Sequence, residues 1–500
     1  MRSKLGIAVI LALAAVLLCS FALADEPEGM GEFGNFFYAY DVDGTAWITG
    51  VIDSEVSELV IPAELNGYAV TGIGDGAFFY CDQLTSVTIP YGVTFIGDKA
   101  FFFCDQLTGV TLPGSVKSIG SEAFTFCDSL TSVTVPDGVT IIGDYAFDTC
   151  ASLTEVTLPG SVTEIGANPF AGCESLQTVT VSPENAAFEV VDGVLFDRTQ
   201  KRLICYPITK TEAEYAVPQG IEAIGDDAFF SCGSLKRVTL PDGMTVIGGK
   251  AFYNCAELTE VTLPGSLTDI GDYAFTNCIE LTGVTLPDGV THIGSEAFSF
   301  CDSLKSLTLP DSAAEIGGNP FMGCSALQSV TVSPTHPVLE AVDGVLFDRV
   351  QKQLVWYPMA KAGAEYAIPQ GIEAIGRGAF AFCDQLTGVT IPDGVTSIGD
   401  EAFIFCEKLA GVTLPNGVTT IGDSAFSMCT KLTSVEIPES VTSIGAEAFS
   451  FCEKLKNVTI PESVTVIGDY AFEDCPKLTL TVTPGSYAEE YAEEYGIPTA

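Results

Sequence analysis

Fifteen phenylalanines recur at fixed intervals along this chain. Phe78, Phe101, Phe124, Phe147 and Phe170 share one constant spacing, and so do Phe229, Phe252, Phe275, Phe298 and Phe321, and then Phe380, Phe403, Phe426, Phe449 and Phe472. The two gaps between these series are equal, so Phe78, Phe229 and Phe380 are evenly placed as well. A short period of this size marks an array of stacked units, and the longer period marks duplication of a unit already repetitive.

Each 23-residue unit reads L-x-x-V-T-[LIV]-P-x-x-V-x-x-I-G-x-x-A-F-x-x-C-x-x. In the unit beginning at Leu386, Val389 and Ile391 alternate with Thr390, the period-two pattern of a short strand. Pro392-Asp393-Gly394 reads as a turn, because proline presets its own φ and glycine tolerates a positive one. Val395 and Ile398 form a second short inward-facing piece. Gly399 and Asp400 then open a helical turn, with Asp400 placed to cap its free N–H groups. The inward set is Leu386, Val389, Ile391, Val395, Ile398, Ala402, Phe403 and Cys406. Burying so few side chains does not offset the entropy of ordering a whole unit, so one unit does not fold alone. Stacking changes this, since neighbours bury both faces and complete the strand hydrogen bonds at about 4.8 Å spacing.

This consensus, with its Ile-Pro turn, its I-G-x-x-A-F and its C-x-x-L, resembles the BspA-like leucine-rich repeat family of bacterial and protist surface proteins. The resemblance runs from about Tyr38 to Ala500. The opening "YAYDVDGTAWITGVIDSEVSELVIPAELNGYAVTGIGDGAF" is similar to the first, irregular unit of such proteins, and "PGSYAEEYAEEYGIP" to their ending. The fold it implies is a right-handed leucine-rich-repeat solenoid with a parallel sheet on one side; with the residue readings, the expected fold is β-rich, with short helical turns on the other side and two inserted β-hairpins. Some members are described as adhesins for host matrix proteins or other cells, a function that does not follow from the repeat residues. The expected organisation is a signal peptide at 1–24, an irregular cap and first coil at 25–77, and block one at 78–182. A hairpin insertion at 183–228, block two at 229–333 and a second insertion at 334–379 follow. Block three at 380–482 and a capping helix at 483–500 complete it. The insertions "VVDGVLFDRTQKRLICYP" and "AVDGVLFDRVQKQLVWYP" read as hairpins, with strands around Leu195-Phe196 and Leu203-Ile204 in the first. In the last segment Tyr487, Tyr491 and Tyr495 make a stripe on a helix begun by Ser486 and stopped by Gly496 and Pro498.

The first residues carry a positive start (Arg2, Lys4), an apolar run from Leu5 to Leu18 and a small-residue site at Ala22-Leu23-Ala24, the signature of a secretory leader. Cys19 hints at lipidation, but Leu18 before it is bulky where that processing wants a small residue. No later segment approaches the roughly 20 apolar residues of a membrane span. The expected location is therefore secreted or cell-surface associated, with no transmembrane segment. Acidic residues outnumber basic ones by 65 to 21, a net charge of −44. Such a field repels nucleic acid and anionic lipid. A hydrophobic content of 47% excludes disorder.

Candidate chemistry is sparse. Fifteen of the seventeen cysteines, Cys81 through Cys475, stand three residues after the repeat phenylalanines. Stacked coils bring equivalent Cα atoms near the lower edge of disulfide distance. Side chains in one register point the same way, however, which suits a ladder of buried thiols, and related repeats place Cys or Asn there to bond backbone. Cys205 aligns with Trp356 across the duplication and reads as packing. His292 and His336 occupy unrelated positions, and neither pairs with a nucleophile. The carboxylates recur as caps (Asp98, Asp144, Asp272, Asp400) and turns (Asp137, Asp288, Asp393). "GIGDGA" at 72–77 is the repeat's own turn, and "DVDGT" at 41–45 echoes a calcium loop without its remaining ligands. The threonine column Thr88, Thr111, Thr134, Thr157, Thr390 and Thr413 points outward, as β-propensity explains. No catalytic residue, metal site or cofactor is expected.

One column departs from this logic. Two residues after the phenylalanine, on the outward side of the turn, stand Tyr80, Phe103 and Phe126 in block one and Phe382, Phe405, Met428 and Phe451 in block three. Block two has Ser231, Asn254 and Asn277 there before Phe300. Adjacent coils would fuse the large side chains into apolar strips, which mark contact sites unless they pack on one another. The reading favours a non-catalytic protein-binding or adhesion scaffold with a protein or cell-surface ligand and no nucleic-acid partner. A passive spacer in a surface assembly is the alternative, and an enzyme comes third.

Overall fold

The computed structural model describes residues 27–500; the leader read over 1–24, and Cys19 with it, lies outside them. In the coil that begins at Leu386, the alternating stretch forms the strand Gly388–Thr390, with Val389 buried and Thr390 exposed. It pairs in parallel with Glu365–Ala367 of the preceding coil and Gly411–Thr413 of the next, Val389 opposite Val412. Val395 N–H donates to Pro392 O at 3.1 Å, which closes the turn. Gly394 stays out of the left-handed region that the sequence reading allowed it, whereas Gly243, its counterpart in block two, takes φ +94. The chain then enters Ser397–Ile398, paired in parallel with Ala374–Ile375 and Thr420–Ile421. The second apolar piece thus forms a narrow ladder of its own beside the wider one, which is interrupted between Gly109–Thr111 and Ser132–Thr134 and again at 281–287. The architecture is a β-solenoid of 23-residue coils.

The third side of the coil is also bonded to its neighbours. Glu401, Phe403 and Phe405 donate their N–H groups to Asp423, Ala425 and Ser427 of the next coil at 2.7–3.0 Å. Between them, Ala402, Ile404 and Cys406 bond back to Gly399, Glu401 and Phe403, each three residues earlier, as in a single helical turn. Alternating the two bond directions requires left-handed residues on either side of the phenylalanine: Glu401 and Phe405 both have φ +56. Lys99 (+54) and Phe103 (+59) repeat this in block one.

These bonds also correct the expectation for Asp400. Its own turn has few N–H groups to spare, and its Oδ1 accepts the N–H of Asp423 in the next coil at 2.9 Å. Asp98, Asp144 and Asp272 likewise accept from Ser121, Ala167 and Ser295, one coil on. The glycine before that donor is what permits the approach. A Cβ added to Gly422 would sit 2.5 Å from both the backbone N and Oδ1 of Asp400.

Inside, the repeat phenylalanines form stacks with centroids 4.8–6.2 Å apart within each block, for example 4.9 Å between Phe380 and Phe403 and 5.0 Å between Phe403 and Phe426. Such contacts add about 0.5–1.5 kcal/mol per pair beyond burial. The insertions begin as three antiparallel strands, Phe188–Val191, Val194–Asp197 and Arg202–Cys205 in the first, one strand more than a hairpin. The last strand re-enters the narrow ladder by pairing in parallel with Ala223–Ile224. Tyr206 and Tyr357, each one repeat length before a block's first phenylalanine, then take the phenylalanine place. Their rings lie 5.1 Å from Phe229 and Phe380, so each insertion ends in a degenerate coil. Cys205 and Trp356 are buried, as packing residues should be.

At the N-terminal end Gly29–Phe33, Phe36–Tyr40 and Thr45–Val51 make an antiparallel meander whose third strand pairs in parallel with Tyr68–Ile73 and starts the narrow ladder. At the other end Ser486 caps the helix Tyr487–Glu494 by accepting from Glu489 N–H. Its buried face is Ala488, Tyr491 and Ala492. Tyr487 is 43% exposed and outside that buried face, contrary to the stripe expected from sequence, because residues four apart are rotated by about 40° around the helix. Tyr495 lies beyond the last turn, stacked on Tyr491 at 4.5 Å.

Candidate functional site

All seven residues of the aromatic column lie where the third side of the coil meets solvent. Tyr80 is 55% exposed, and Phe103, Phe126, Phe382, Phe405, Met428 and Phe451 are half-buried. Each is left-handed, with φ between +56 and +61. Tyr80 stacks on Phe103 at 4.7 Å and Phe103 on Phe126 at 4.3 Å, the planes within 9°. Phe382 stacks on Phe405 at 4.8 Å. Phe300, at the end of block two, meets Phe382 edge-on at 5.2 Å and carries the block-three strip across the second insertion. No such bridge follows Phe126, where Thr149 takes the column.

Block one is broader than the sequence reading allowed. Phe79 and Phe102, one residue nearer the repeat phenylalanine, form a second stack at 5.1 Å. This stack meets the first edge-on, at 4.7 Å between Phe79 and Tyr80 and 4.9 Å between Phe102 and Phe103. The signal was present as adjacent aromatics in "AFFY" and "AFFF", but a helical turn would have sent them in different directions. In block two the column is polar and self-satisfied: Asn254 donates to Ser231 and Asn277 to Asn254, both at 3.0 Å.

Beside the block-three strip lies a cleft of about 950 Å³. Its walls are the insertion loop 359–364 on one side and Phe382, Phe405, Asp384, Gln385 and Glu407 on the other. Two differences between the duplicated segments create it. The loop reads Met-Ala-Lys-Ala-Gly-Ala where the first insertion has Ile-Thr-Lys-Thr-Glu-Ala, and Phe382 and Phe405 stand where block two has Ser231 and Asn254. In the first insertion Thr209 bonds Leu176 O and so ties that loop to the coils, while Lys210 pairs within the loop with Glu212 at 3.1 Å.

The remaining candidates take structural places. The sixteen cysteines of the described residues carry free thiols, all buried except the half-buried Cys475. In the column, Sγ donates to the carbonyl of the aromatic residue one coil back, as from Cys406 to Phe380 at 3.1 Å and Cys127 to Phe101 at 3.2 Å. Burial pushes the Cys406 and Cys255 thiols up to about 12, far from the reactive thiolate range. His292 pairs with Glu315 at 3.5 Å on the surface. His336 is buried, and its Nδ1 accepts the N–H groups of Val338 and Leu339 at 3.2 and 3.0 Å. Asn185, its counterpart across the duplication, does the same for Ala187 and Phe188, so His336 is a turn residue of the insertion. In "DVDGT", Asp43 Oδ1 accepts from Thr45 N and Oγ1, an Asx turn between strands. Thr88, Thr111, Thr134, Thr157, Thr390 and Thr413 are exposed. Among the described residues, no group of three or more His, Cys, Asp or Glu side chains is placed to hold a metal ion, and no helix is long and apolar enough to cross a membrane.

Solved structures of other repeat proteins resemble the chain to differing degrees. A leucine rich cell surface protein from Faecalibacterium prausnitzii is 28% identical, with a TM-score of 0.50 over 94% of this chain and 98% of its own. The pneumococcal vaccine antigen PcpA is 18% identical with a TM-score of 0.48, over 95% of this chain and 99% of its own. A leucine-rich repeat protein from Bacteroides ovatus is 26% identical with a TM-score of 0.34, over 96% of this chain and 99% of its own. No curated protein matches the chain. The model of the BspA type leucine rich repeat region matches residues 71–194, 210–337 and 363–479, six copies in all. Those matches cover most of the chain and take in its repeat blocks, so the chain belongs to the BspA type leucine rich repeat family.

Proposed function

We propose that the protein is an exported or surface-exposed, non-catalytic recognition scaffold whose blocks one and three present aromatic strips to a protein partner. The observation that carries this reading is the backbone beneath the strips. A left-handed conformation costs an ordinary residue roughly 1–2 kcal/mol, and Asn tolerates it best after Gly. Block two follows that rule with Asn254 and Asn277, whereas blocks one and three hold Phe103, Phe126, Phe382 and Phe405 in the same strained place. Stacking offsets part of the cost, yet the rings stay partly exposed, and in block three they wall a cleft large enough for a peptide segment. The leader read over 1–24 and the likeness to a leucine rich cell surface protein support location outside the cell.

The variant Phe382→Asn, Phe405→Asn, Phe451→Asn tests this, because Asn suits the left-handed backbone and block two already uses it. Its urea midpoint is expected to match or slightly exceed that of the parent, while binding to immobilised host matrix proteins and to whole cells falls at least about tenfold, the weight of one central aromatic contact. Undiminished binding by the folded variant would show that the strip is not the contact. Turnover of a hydrolase substrate, abolished by one point substitution, would overturn the non-catalytic part. The alternative, a passive spacer, is favoured for block two alone, where polar side chains bonded to one another, Asn254 to Ser231 and Asn277 to Asn254, replace the aromatic strip.

A further inference from the structure

The chain beyond Arg377 has only five basic residues, Lys408, Lys431, Lys454, Lys456 and Lys477, and they are gathered in one place. Four keep the repeat spacing, each five residues after a repeat phenylalanine, in the turn between the cysteine and leucine columns. The coils that carry them pair in register, so the four follow one another at about the strand spacing of 4.8 Å. Lys408, Lys431 and Lys477 are exposed and Lys454 is half-buried. Among the described residues, none of the five is within ion-pair distance of a carboxylate, although the chain has three acidic residues for every basic one. Lys201, Lys210, Lys236, Lys352, Arg237 and Arg377 have such partners; Lys117, Lys250, Lys305 and Lys361 lack one among the described residues too, but no other basic residue stands one repeat away from any of them. In block one the same column holds only Gln and Ser, and in block two Ser, Glu and Ala. Like charges in such a row repel: Lys431 beside Lys454 holds its ammonium below the usual lysine range, and Lys477 adds to this.

We propose that the Lys408–Lys431–Lys454–Lys477 row binds a linear sulfated polysaccharide laid along the solenoid axis. Its negative groups supply the counter-charge that the row lacks, and a sulfate has oxygens enough to take donors from lysines on two neighbouring coils. The width of the row selects the ligand. Glu407 and Glu453 directly precede Lys408 and Lys454, so the positive strip is one residue across. A nucleic-acid duplex or an anionic bilayer is wide enough to press its charges onto those carboxylates as well, whereas a thin chain follows the lysines alone. Lys456, two residues from Lys454, widens the strip at one coil.

The test titrates the full chain with heparin at low ionic strength. The expected result is binding whose log K falls with log salt at a slope near −3, from about 0.7 for each of four ammonium groups on a single-stranded polyanion. The variant Lys408→Gln, Lys431→Gln, Lys454→Gln, Lys477→Gln is expected to lose at least about tenfold in affinity and most of that slope, with its far-UV circular dichroism unchanged. A control, Lys201→Gln with Lys352→Gln, removes two lysines already paired with Glu222 and Glu373 and is expected to bind like the parent. The proposal is overturned by no binding at low salt, by equal binding of the fourfold variant, or by an equal loss in the control. Tighter binding of single-stranded DNA or anionic vesicles than of heparin overturns it too. The Phe382→Asn, Phe405→Asn, Phe451→Asn variant should retain heparin binding, so this site and the aromatic strip fail separately.

Discussion

At the scale of single residues, position within the coil outweighs residue type. Gly411 and Gly422 sit in one coil, yet a Cβ on Gly411 meets nothing within 4 Å while one on Gly422 meets the Asp400 backbone at 2.5 Å. Gly422→Ala is therefore expected to lower stability by more than about 2 kcal/mol, because backbone cannot yield as a side-chain tip can. Gly411→Ala should be neutral or raise it by up to about 1 kcal/mol by reducing the freedom of the unfolded chain. Urea midpoints of the two variants check the contrast, and equal midpoints would contradict it. His336 gives a second case. Its Nδ1 must stay unprotonated to accept two N–H groups, and burial lowers its pKa from the usual 6.5, with Asp311 opposing that shift and Arg349 adding to it. A folded value below the unfolded one means that the stabilisation is intact above about pH 6.5 and is lost as pH falls toward the folded value. His336→Asn, which copies Asn185, is expected to flatten the decline in urea midpoint below about pH 6.5. A variant with the parent's acid slope would rule His336 out as its source.

At the scale of the coil, what was legible in the sequence is what repeats. Phase, inward columns, the thiol ladder and the helix start at Ser486 all follow from spacing plus elementary preferences for burial and capping. The left-handed backbone was not legible, because it puts phenylalanine where propensity argues for Gly or Asn, as at Phe103 and Phe405. The reason lies in the next coil, whose carbonyls draw alternate N–H groups sideways, and no local preference encodes that. The narrow ladder went unread because two residues per coil are too few to show alternation. Tyr206 and Tyr357 extend the phenylalanine column with a different residue type, and only their offset of one repeat from Phe229 and Phe380 marks them in the sequence. The cleft depends on small residues in loop 359–364 facing the rings of Phe382 and Phe405, a pairing that only the folded chain brings together. The end helix shows how narrow the gap was: the tyrosine spacing was right, but only Tyr491 turns inward, toward Phe472 at 6.4 Å. Tyr491→Ser should therefore loosen the last coil by on the order of 3 kcal/mol, and Tyr487→Ser by less than about 0.5 kcal/mol. Hydrogen exchange of the 479–481 amides reports the difference; comparable exchange in both variants would mean that the cap does not seal the coil through Tyr491.

At the scale of the whole molecule, the duplicated blocks meet through the same positions with different charges. At the first junction Tyr145 Oη donates to Asp227 across the insertion at 2.7 Å, and Asn168 holds the Asp227 carbonyl at 2.9 Å. At the second, the places of Tyr145, Asp226 and Lys250 are taken by Glu296, Arg377 and Glu401, and Arg377 bonds both glutamates, at 3.4 and 2.8 Å. Asp148, near the first junction, becomes Ser299 at the second. The second junction thus has a cation, Arg377, bonded to its carboxylates, although burial raises Glu296 there too. Burial raises both Asp148 and Asp227 from the usual 3.8 to about 6, and Asp227 adds to the shift at Asp148. With the folded value above the unfolded one, the stabilising contribution is complete below about pH 4 and is lost as pH rises through about 6. At neutral pH both carboxylates are charged and partly desolvated, and they weaken the contact between blocks one and two. Asp148→Asn removes one charge and keeps an oxygen for the Thr149 hydroxyl, which bonds Asp148 at 3.1 Å. It is expected to raise stability by about 1–2 kcal/mol at pH 7.5, less than the full value of the shift because the side chain is part-exposed, and to match the parent below pH 4. Glu401→Gln, at the second junction, should act in the opposite direction at pH 7.5, because it leaves Arg377 with Glu296 alone. Urea midpoints of the two variants across pH 4 to 8 decide the matter: a gain from Asp148→Asn that does not vary with pH would mean that its carboxyl titrates like any surface aspartate, and the pH sensitivity of the first junction would have to come from elsewhere.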